Sequence, residues 1–301
     1  MFYLRSHVIL STFNLILVLK MKAITNKVIS ASRRQDMVAF FPDKLIDLLE
    51  RRCPPEKVHT LVLWTKDPRN IWQYGALNQK LLQYDQIYIH YTITGMGGTC
   101  FEPGIPELET GLENIGNVLD FLKSSELLRI RFDPIVNIQM PEGETYTNLP
   151  CFSQVAQVCK QYQIHEISIS WMQVYDKVRH RLSRLGLQSI ELRESEQAKQ
   201  QNWIIEQAQK YNIQLHGCCV ETLPKSSCID GNLLNALHPN QEIASVQKAG
   251  GQREGCGCTA SWDIGWYEPC AGSCIYCYAR PKELTRLTGE RPKKGEWIDE
   301  Y

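Results

Sequence analysis

The feature that most constrains the fold is a regular alternation of short apolar runs with longer segments of helical period, beginning near residue 28. The short runs are rich in β-branched and aromatic residues, as buried strands are. The six predicted strands are 28–31, 60–64, 86–92, 128–132, 166–170 and 213–216. Between them, helices are predicted at 42–52, 68–83, 106–123, 151–162 and 194–211. The first three of these helices begin at a proline, which a first helical turn tolerates well.

Six β–α units in series predict an α/β protein with a parallel sheet. Right-handed crossovers would curl the sheet into a (β/α)6 barrel or a partial TIM-like barrel. With 301 residues, 43% of them hydrophobic, the chain can bury one large core. We therefore expect residues 21–217 to form the main part of the barrel. Residues 218–301 are expected to form a cysteine-rich, metal-binding segment packed on the barrel mouth.

Polar residues follow the predicted strands at their carboxyl ends, which is where parallel sheets bind ligands. Because buried polar groups without partners are costly, their recurrence predicts a wet or ligand-filled mouth. Arg33 and Arg34 could grip a carboxylate or phosphate, with Asp36 orienting one of them. The alternative is that these groups cap helices or face solvent. The candidate ligand-binding residues are Ser32, Arg33, Arg34, Asp36, Lys66, Thr94 and Asp133.

Three cysteines near the C-terminus form a C-x3-C-x2-C cluster: Cys270, Cys274 and Cys277. Three thiolates can hold three corners of a [4Fe–4S] cube, which leaves the fourth iron free to bind a small ligand. An aromatic residue, Tyr276, directly precedes the last sulfur. The spacing therefore predicts an iron–sulfur site with an open metal position.

The pattern C-x3-C-x-aromatic-C resembles the signature of the radical S-adenosylmethionine superfamily. The resemblance implies that the open iron chelates S-adenosylmethionine, that a reductant such as flavodoxin or ferredoxin supplies an electron, and that the cofactor is cleaved to a 5′-deoxyadenosyl radical. The wider stretch from Cys256 to Arg280 is similar to an uncharacterised bacterial family with such a cluster at its C-terminal end. That likeness extends over most of the chain after Met21, and the family has no assigned activity.

The position of the cluster departs from the superfamily pattern. Radical S-adenosylmethionine enzymes usually carry the three cysteines after the first barrel strand, whereas here they follow all six predicted strands. The resemblance therefore implies a circularly permuted sheet in which the first and last strands are neighbours. Ser32 and Arg33 would then lie where the superfamily holds the amino group of S-adenosylmethionine. No Gly-Gly-Glu motif follows strand 28–31.

A second cysteine group precedes the triad. Four thiolates make a tetrahedral zinc site or complete an auxiliary [4Fe–4S] cluster. The alternative is that these cysteines are buried and unliganded. The spacing leaves either Cys218 or Cys219 as a ligand, and the resemblance favours Cys219 through the arrangement Cys219-Val-Glu221. The candidate ligands of the second site are Cys219, Cys228, Cys256 and Cys258.

The N-terminus carries an apolar run at 8–19, which is short for a membrane span. We expect residues 1–20 to be an upstream extension before a start at Met21; the alternative is a signal peptide or weak anchor. The formal net charge is zero, so no global field attracts nucleic acid or a membrane surface. Because the cysteines are clustered rather than spread, metal ligation in a reducing cytoplasm is favoured over disulfides.

Three functions follow from these patterns. The first is a radical-S-adenosylmethionine-like enzyme acting on an unknown substrate. The second is a non-catalytic iron–sulfur or zinc-binding barrel that binds nucleic acid or a protein partner. The third is a barrel hydrolase or phosphate-ester enzyme using Arg33, Asp36 and Asp133, with structural metal sites. A basic segment is read as a solvated helical face, with phosphate binding as the alternative: Lys177, Arg179, His180, Arg181 and Arg184.

Overall fold

The structure is a computed structural model, and it describes residues 26–253, 255–282, 284 and 286–291. The expected extension 1–20, with its apolar run and the start at Met21, lies outside the described residues. The strands are β1 Lys27–Ala31, β2 Val58–Thr65, β3 Ile87–Thr92, β4 Leu128–Ile135, β5 Asn137–Gln139, β6 Thr145–Thr147, β7 Glu166–Trp171, β8 Gln188–Ser189, β9 Gln214–Gly217 and β10 Trp262–Asp263.

The helices alternate with these strands as the periodicity predicts. They are α1 Met37–Phe40, α2 Pro42–Arg52, α3 Asn70–Gln73, α4 Gly75–Leu81, α5 Leu108–Leu122, α6 Phe152–Gln161, α7 Asp176–Arg184, α8 Glu194–Lys210 and α9 Gly231–Leu237. The predicted helix 68–83 is divided into α3 and α4, because Tyr74 has extended backbone angles and is followed by Gly75, a weak helix former. The basic segment forms α7.

Seven strands form one sheet in the order β10-β1-β2-β3-β4-β7-β9, and every pairing in it is parallel. The α/β prediction and the six predicted strands are therefore confirmed. No pairing among the described residues joins the edge strands β9 and β10, so a closed barrel is not observed. The short strands β5, β6 and β8 form a separate antiparallel sheet.

The two faces of the large sheet bury different kinds of side chain, apolar on one face and partly polar on the other. One face packs Leu61, Ile89 and Ile130 against the helices, including Leu45 of α2 and Ile115 of α5. Since side chains alternate along a strand, the intervening residues lie on the other face. Buried polar residues of this second face include Ser30, Thr60, His90, Arg129 and Ser168.

The second face is covered by the chain that follows β9. His90 Nε2 lies against the carbonyl oxygen of Cys228. The hydroxyls of Ser168 and Ser226 are 3.1 Å apart, and Gln86 Nε2 donates to the carbonyl oxygen of Leu234 at 2.9 Å. The cysteine-rich segment therefore packs along a face of the sheet, and its strand β10 is a member of that sheet.

In the described part of the chain, no helix combines the length and apolarity needed to span a bilayer.

Candidate metal centre at the carboxyl edge of the sheet

The cysteine triad follows β10, an edge strand that aligns with the start of the chain. Ile29 pairs with Trp262 and Ser30 with Asp263, and the amide of Ile264 donates to the carbonyl oxygen of Ser30 at 3.0 Å. The chain then passes along the carboxyl edge of the sheet and reaches Cys270. Strands β1 and β10, far apart in the chain, are therefore neighbours in the sheet.

Asp263 joins these two strands through its carboxylate. It accepts hydrogen bonds from the hydroxyls of Ser30 and Ser32 at 3.1 and 2.8 Å, and from the amide of Arg33 at 3.2 Å. The Asp263 carboxylate also forms an ion pair with Arg34, whose Nε lies 3.8 Å from Asp263 Oδ1. The carboxylate that contacts Arg34 is thus Asp263, which the sequence patterns did not single out.

Asp36 has a different position from the one expected of an arginine-orienting carboxylate. Its side chain caps α1 by accepting from the amide of Ala39, and it accepts from Thr65 Oγ1 at 3.0 Å and the Lys66 amide at 2.7 Å. Burial raises the pKa of Asp36 to about 6, although these hydrogen bonds oppose the effect. Asp36 therefore ties the end of β1 to the end of β2.

The three triad thiols share one partly enclosed loop. Cys274 is buried, while Cys270 and Cys277 are half-buried. Burial, with smaller contributions from the charges of Asp36 and Cys277, raises the pKa of Cys270 to about 11. Burial also raises the pKa of Cys274, followed by the charges of Glu102, Cys277 and Cys270. Two turns bring the three cysteines together, since the amides of Ser273 and Cys277 donate to the carbonyl oxygens of Cys270 and Cys274 at 3.2 and 3.0 Å.

A buried polar network lies beside Cys274. Glu102 accepts from Lys66 Nζ at 2.9 Å and Thr94 Oγ1 at 2.8 Å, and it also accepts from the Tyr276 hydroxyl. Burial is the largest single effect on the pKa of Lys66 and lowers it, but the Glu102 carboxylate together with Cys274 and Asp133 makes the net change upward. The network brings together the predicted residues Lys66, Thr94 and Tyr276 around Glu102, which sequence reasoning missed.

The loop after β3 holds the cysteine loop in place. The amide of Ile275 donates to the Phe101 carbonyl at 3.1 Å, and the amide of Gly104 donates to the Gly272 carbonyl at 3.3 Å. A Cβ on Gly104 would lie 2.3 Å from the carbonyl oxygen of Ala271, so the two backbones can approach only because residue 104 is glycine.

The basic helix α7 supports the same loop from another side. Arg181 Nη1 donates to the carbonyl oxygens of Ile275 at 3.0 Å and Cys277 at 2.8 Å. The segment 177–184 is therefore not simply a solvated face, because one of its arginines binds the cysteine loop. No pattern in the sequence distinguishes Arg181 from the basic residues around it.

A charged group lies at the ends of β4 and β7. Asp133 forms an ion pair with Arg131 and accepts from the Ser170 hydroxyl. The guanidinium carbons of Arg33 and Arg131 lie 5.0 and 5.1 Å from the ring centre of Trp64. Arg33 Nη2 is buried and has no hydrogen-bond partner among the described residues.

The second cysteine group lies on the covered face of the sheet. Cys228, Cys256 and Cys258 are buried in one cluster, with Cys218 and Cys219 packed against it. The neighbouring Cys218 and Cys258 thiols are the main cause that lowers the pKa of Cys228 well below its usual range. The predicted ligand Cys219 and its neighbour Cys218 therefore both lie against the cluster that contains Cys228.

Neither cysteine group is already arranged as a coordination site. Within the described ranges, no three histidine, cysteine, aspartate or glutamate side chains are positioned to hold one metal ion. Around the triad, Cys274 Sγ lies 3.8 Å from the Gly272 carbonyl oxygen, and Cys277 Sγ accepts from the Ala279 amide at 3.4 Å. The chemistry of the donors, three clustered thiols with neighbouring cations, fits a thiolate-bound iron–sulfur cluster.

Comparison with known proteins places the chain in a family. No curated protein and no solved structure matches it. A family model matches residues 28–279, a range that contains the large sheet, both cysteine groups and the Glu102 network. The chain therefore belongs to the family described as Domain of unknown function (DUF1848).

Proposed function

We propose that this protein is a radical-S-adenosylmethionine-like enzyme in which Cys270, Cys274 and Cys277 hold a [4Fe–4S] cluster. The observation that carries the proposal is the parallel pairing of β10 with β1. It gives the triad a place directly after a strand of the parallel sheet, although the triad lies near the C-terminus. The sheet would then be a permuted partial barrel whose carboxyl edge is the reaction site.

Positive charge and an amide donor lie near the sulfurs of the triad, and they oppose the burial that raises the pKa of Cys274 and Cys277. The positive charge of Lys66 acts on Cys274, and those of Arg181 and Lys177 act on Cys277. The Ala279 amide donates to Cys277 Sγ. Cations and amide donors near the sulfurs stabilise a negatively charged iron–sulfur centre and tune its reduction potential.

The strand ends offer groups for S-adenosylmethionine beside the triad. The buried, unpartnered Nη2 of Arg33 would bind the cofactor carboxylate, since guanidinium pairs strongly with carboxylate. Asp133 and Ser170 would bind hydroxyl groups of the ribose. Ser32 and Arg34 would act indirectly, because both are held by Asp263. When bound, the reduced cluster would supply the electron that cleaves the cofactor.

The remaining network would position the loop and exclude water. Lys66, Glu102 and Tyr276 fill the volume beside Cys274 with mutually satisfied polar groups. The electron would come from a cytoplasmic reductant of the flavodoxin or ferredoxin type. The substrate would occupy the carboxyl edge of the sheet, beyond Asp133 and its partners Arg131 and Ser170.

The test is anaerobic reconstitution with iron and sulfide, followed by dithionite and S-adenosylmethionine. The expected product is 5′-deoxyadenosine, with a change in the electron paramagnetic resonance signal of the reduced cluster when S-adenosylmethionine is added. The Cys270→Ala/Cys274→Ala/Cys277→Ala variant should abolish the product. The matched control Cys159→Ala, a buried thiol of the hydrophobic core, should retain it.

Two outcomes would overturn the proposal. One is an iron-loaded wild-type protein that forms no 5′-deoxyadenosine and shows no spectral response to S-adenosylmethionine. The other is equal product from the triple variant, which would place the chemistry elsewhere. A colourless protein with zinc on the triad would instead support the metal-stapled, non-catalytic function.

A further inference from the structure

The second cysteine group gathers five thiols from three separate stretches of chain. Cys218 and Cys219 follow β9, Cys228 precedes α9, and Cys256 and Cys258 precede β10. All five belong to one packed cluster on the covered face of the sheet. A Cβ atom added to Gly255 would lie 3.6 Å from Cys219 Sγ. The segment before Cys256 therefore packs against the loop after β9.

The segments that carry Cys228 and Cys258 lie against each other. The Ser227 hydroxyl donates to the Gly257 carbonyl oxygen at 2.9 Å, and the Ser226 hydroxyl lies 3.8 Å from Cys228 Sγ. The segments that carry Cys228 and Cys258 are also joined by the backbone, since the Thr259 amide donates to the Ile229 carbonyl at 2.8 Å. Cysteines that are distant in the sequence therefore lie on segments that pack against one another.

Positive charge faces this group. Arg253 Nη2 lies 3.3 Å from Cys218 Sγ, and the charge of Arg253 also interacts with Cys219. Among the described residues, no carboxylate forms a salt bridge with Arg253. Arg131 interacts with Cys228 and Cys218 from the sheet side. Cations placed on several cysteines stabilise their thiolates, which are the form that binds metal.

The segment that carries these cysteines has little regular structure of its own. Between β9 and β10, the described residues contain one helix, the seven-residue α9. A connection of this length without secondary structure is costly to order. Metal ligation by distant residues supplies such order directly, because the binding free energy becomes folding free energy.

We propose that Cys218, Cys228 and Cys258, with a fourth thiol from Cys219 or Cys256, bind a metal centre separate from the triad. The ligands are thiolates, and the metal is a zinc ion or the iron of an auxiliary cluster. Binding releases the thiol protons. Rotation of cysteine side chains turns the sulfurs toward the metal, because their backbone supports already lie together.

The full-length variant Cys270→Ala/Cys274→Ala/Cys277→Ala isolates this site from the proposed catalytic cluster. After anaerobic purification and separate loading with zinc or with iron and sulfide, it should retain about one zinc or about four irons per chain. Adding Cys228→Ala should reduce the metal content at least tenfold. Adding Cys159→Ala instead should leave it unchanged, because Cys159 lies in the core packed against the helices.

X-ray absorption of the loaded triple variant supplies a readout that is independent of further mutation. A metal shell made only of sulfur, at about 2.3 Å for zinc, would support the site. Zinc and iron edges distinguish the two metals. Failure to retain either metal, or a shell dominated by nitrogen and oxygen, would overturn the proposal. If the triple variant retains metal but the iron-loaded wild-type protein forms no 5′-deoxyadenosine, only the proposed function of the triad is overturned.

Discussion

Asp263 and Ser32 form a hydrogen bond of 2.8 Å between side chains that are 231 residues apart in the chain. The bond joins the strand that leads into the cysteine triad to the end of the first strand of the sheet. The Asp263 carboxylate also accepts from the Gly265 amide at 2.9 Å. The start of the cysteine loop is therefore held by one carboxylate.

Replacing Asp263 should destabilise the junction of β10 and β1. Asp263→Ala leaves the Ser30 and Ser32 hydroxyls and two backbone amides without their acceptor, so we expect a loss of about 2–4 kcal/mol in the free energy of unfolding. Urea titration followed by circular dichroism measures this loss. The control Asp120→Ala, at an exposed position of α5, should unfold like the wild type. An unchanged urea midpoint for Asp263→Ala would contradict the structural role of this carboxylate.

Among the acidic residues of the site, Glu102 should cause the largest loss of stability when it is replaced. Glu102→Gln leaves Lys66 as a buried cation without its carboxylate, so the free energy of unfolding should fall by about 3–5 kcal/mol. The double variant Glu102→Gln/Lys66→Met should recover part of the loss, because it removes both charges. The control Glu196→Gln breaks the exposed pair with Arg193 and should leave the urea midpoint unchanged. Equal effects of the two glutamine substitutions would contradict the buried network.

Arg181 should matter more than its basic neighbours on α7. Arg181→Met removes the hydrogen bonds to the carbonyls of Ile275 and Cys277, and we expect about 1.5–3 kcal/mol of destabilisation. The cysteine loop should also lose iron faster to a chelator after reconstitution. Arg179→Met, at an exposed position of the same helix, is the matched control. Similar iron loss from both variants would show that Arg181 does not hold the loop.

His59 should make stability depend on pH. Burial lowers the pKa of His59, the nearby His238 lowers it further, and the Glu242 carbonyl and carboxylate oppose the change. Because the folded pKa lies below the ordinary value of 6.5, the unfolded chain binds more protons in the interval between the two. The contribution is present above pH 6.5 and is lost as the pH falls toward the folded pKa.

The His59→Gln variant tests this pH dependence. Its free energy of unfolding should fall less steeply than that of the wild type as the pH is lowered below about 6.5. Urea titrations at a series of pH values measure both slopes. His165→Gln, at an exposed position, should retain the wild-type slope. Parallel slopes for wild type and His59→Gln would contradict the assignment.

The local sequence determined most of the large sheet and its helices. The six predicted strands are observed with ends shifted by up to three residues, and α2 occupies the predicted residues 42–52. These elements could be predicted because strand and helix periods are written in consecutive residues. The spacing of Cys270, Cys274 and Cys277 within a single loop is local information of the same kind.

Only the tertiary structure decided how distant residues combine. Strand β10 has two residues, too few for a periodic signal, yet it pairs with β1 and sets the position of the triad. Glu102 and Arg181 became site residues because folding brought separate loops together. Burial and long-range pairing have no signature in a local window of sequence, so these contacts depend on the complete fold.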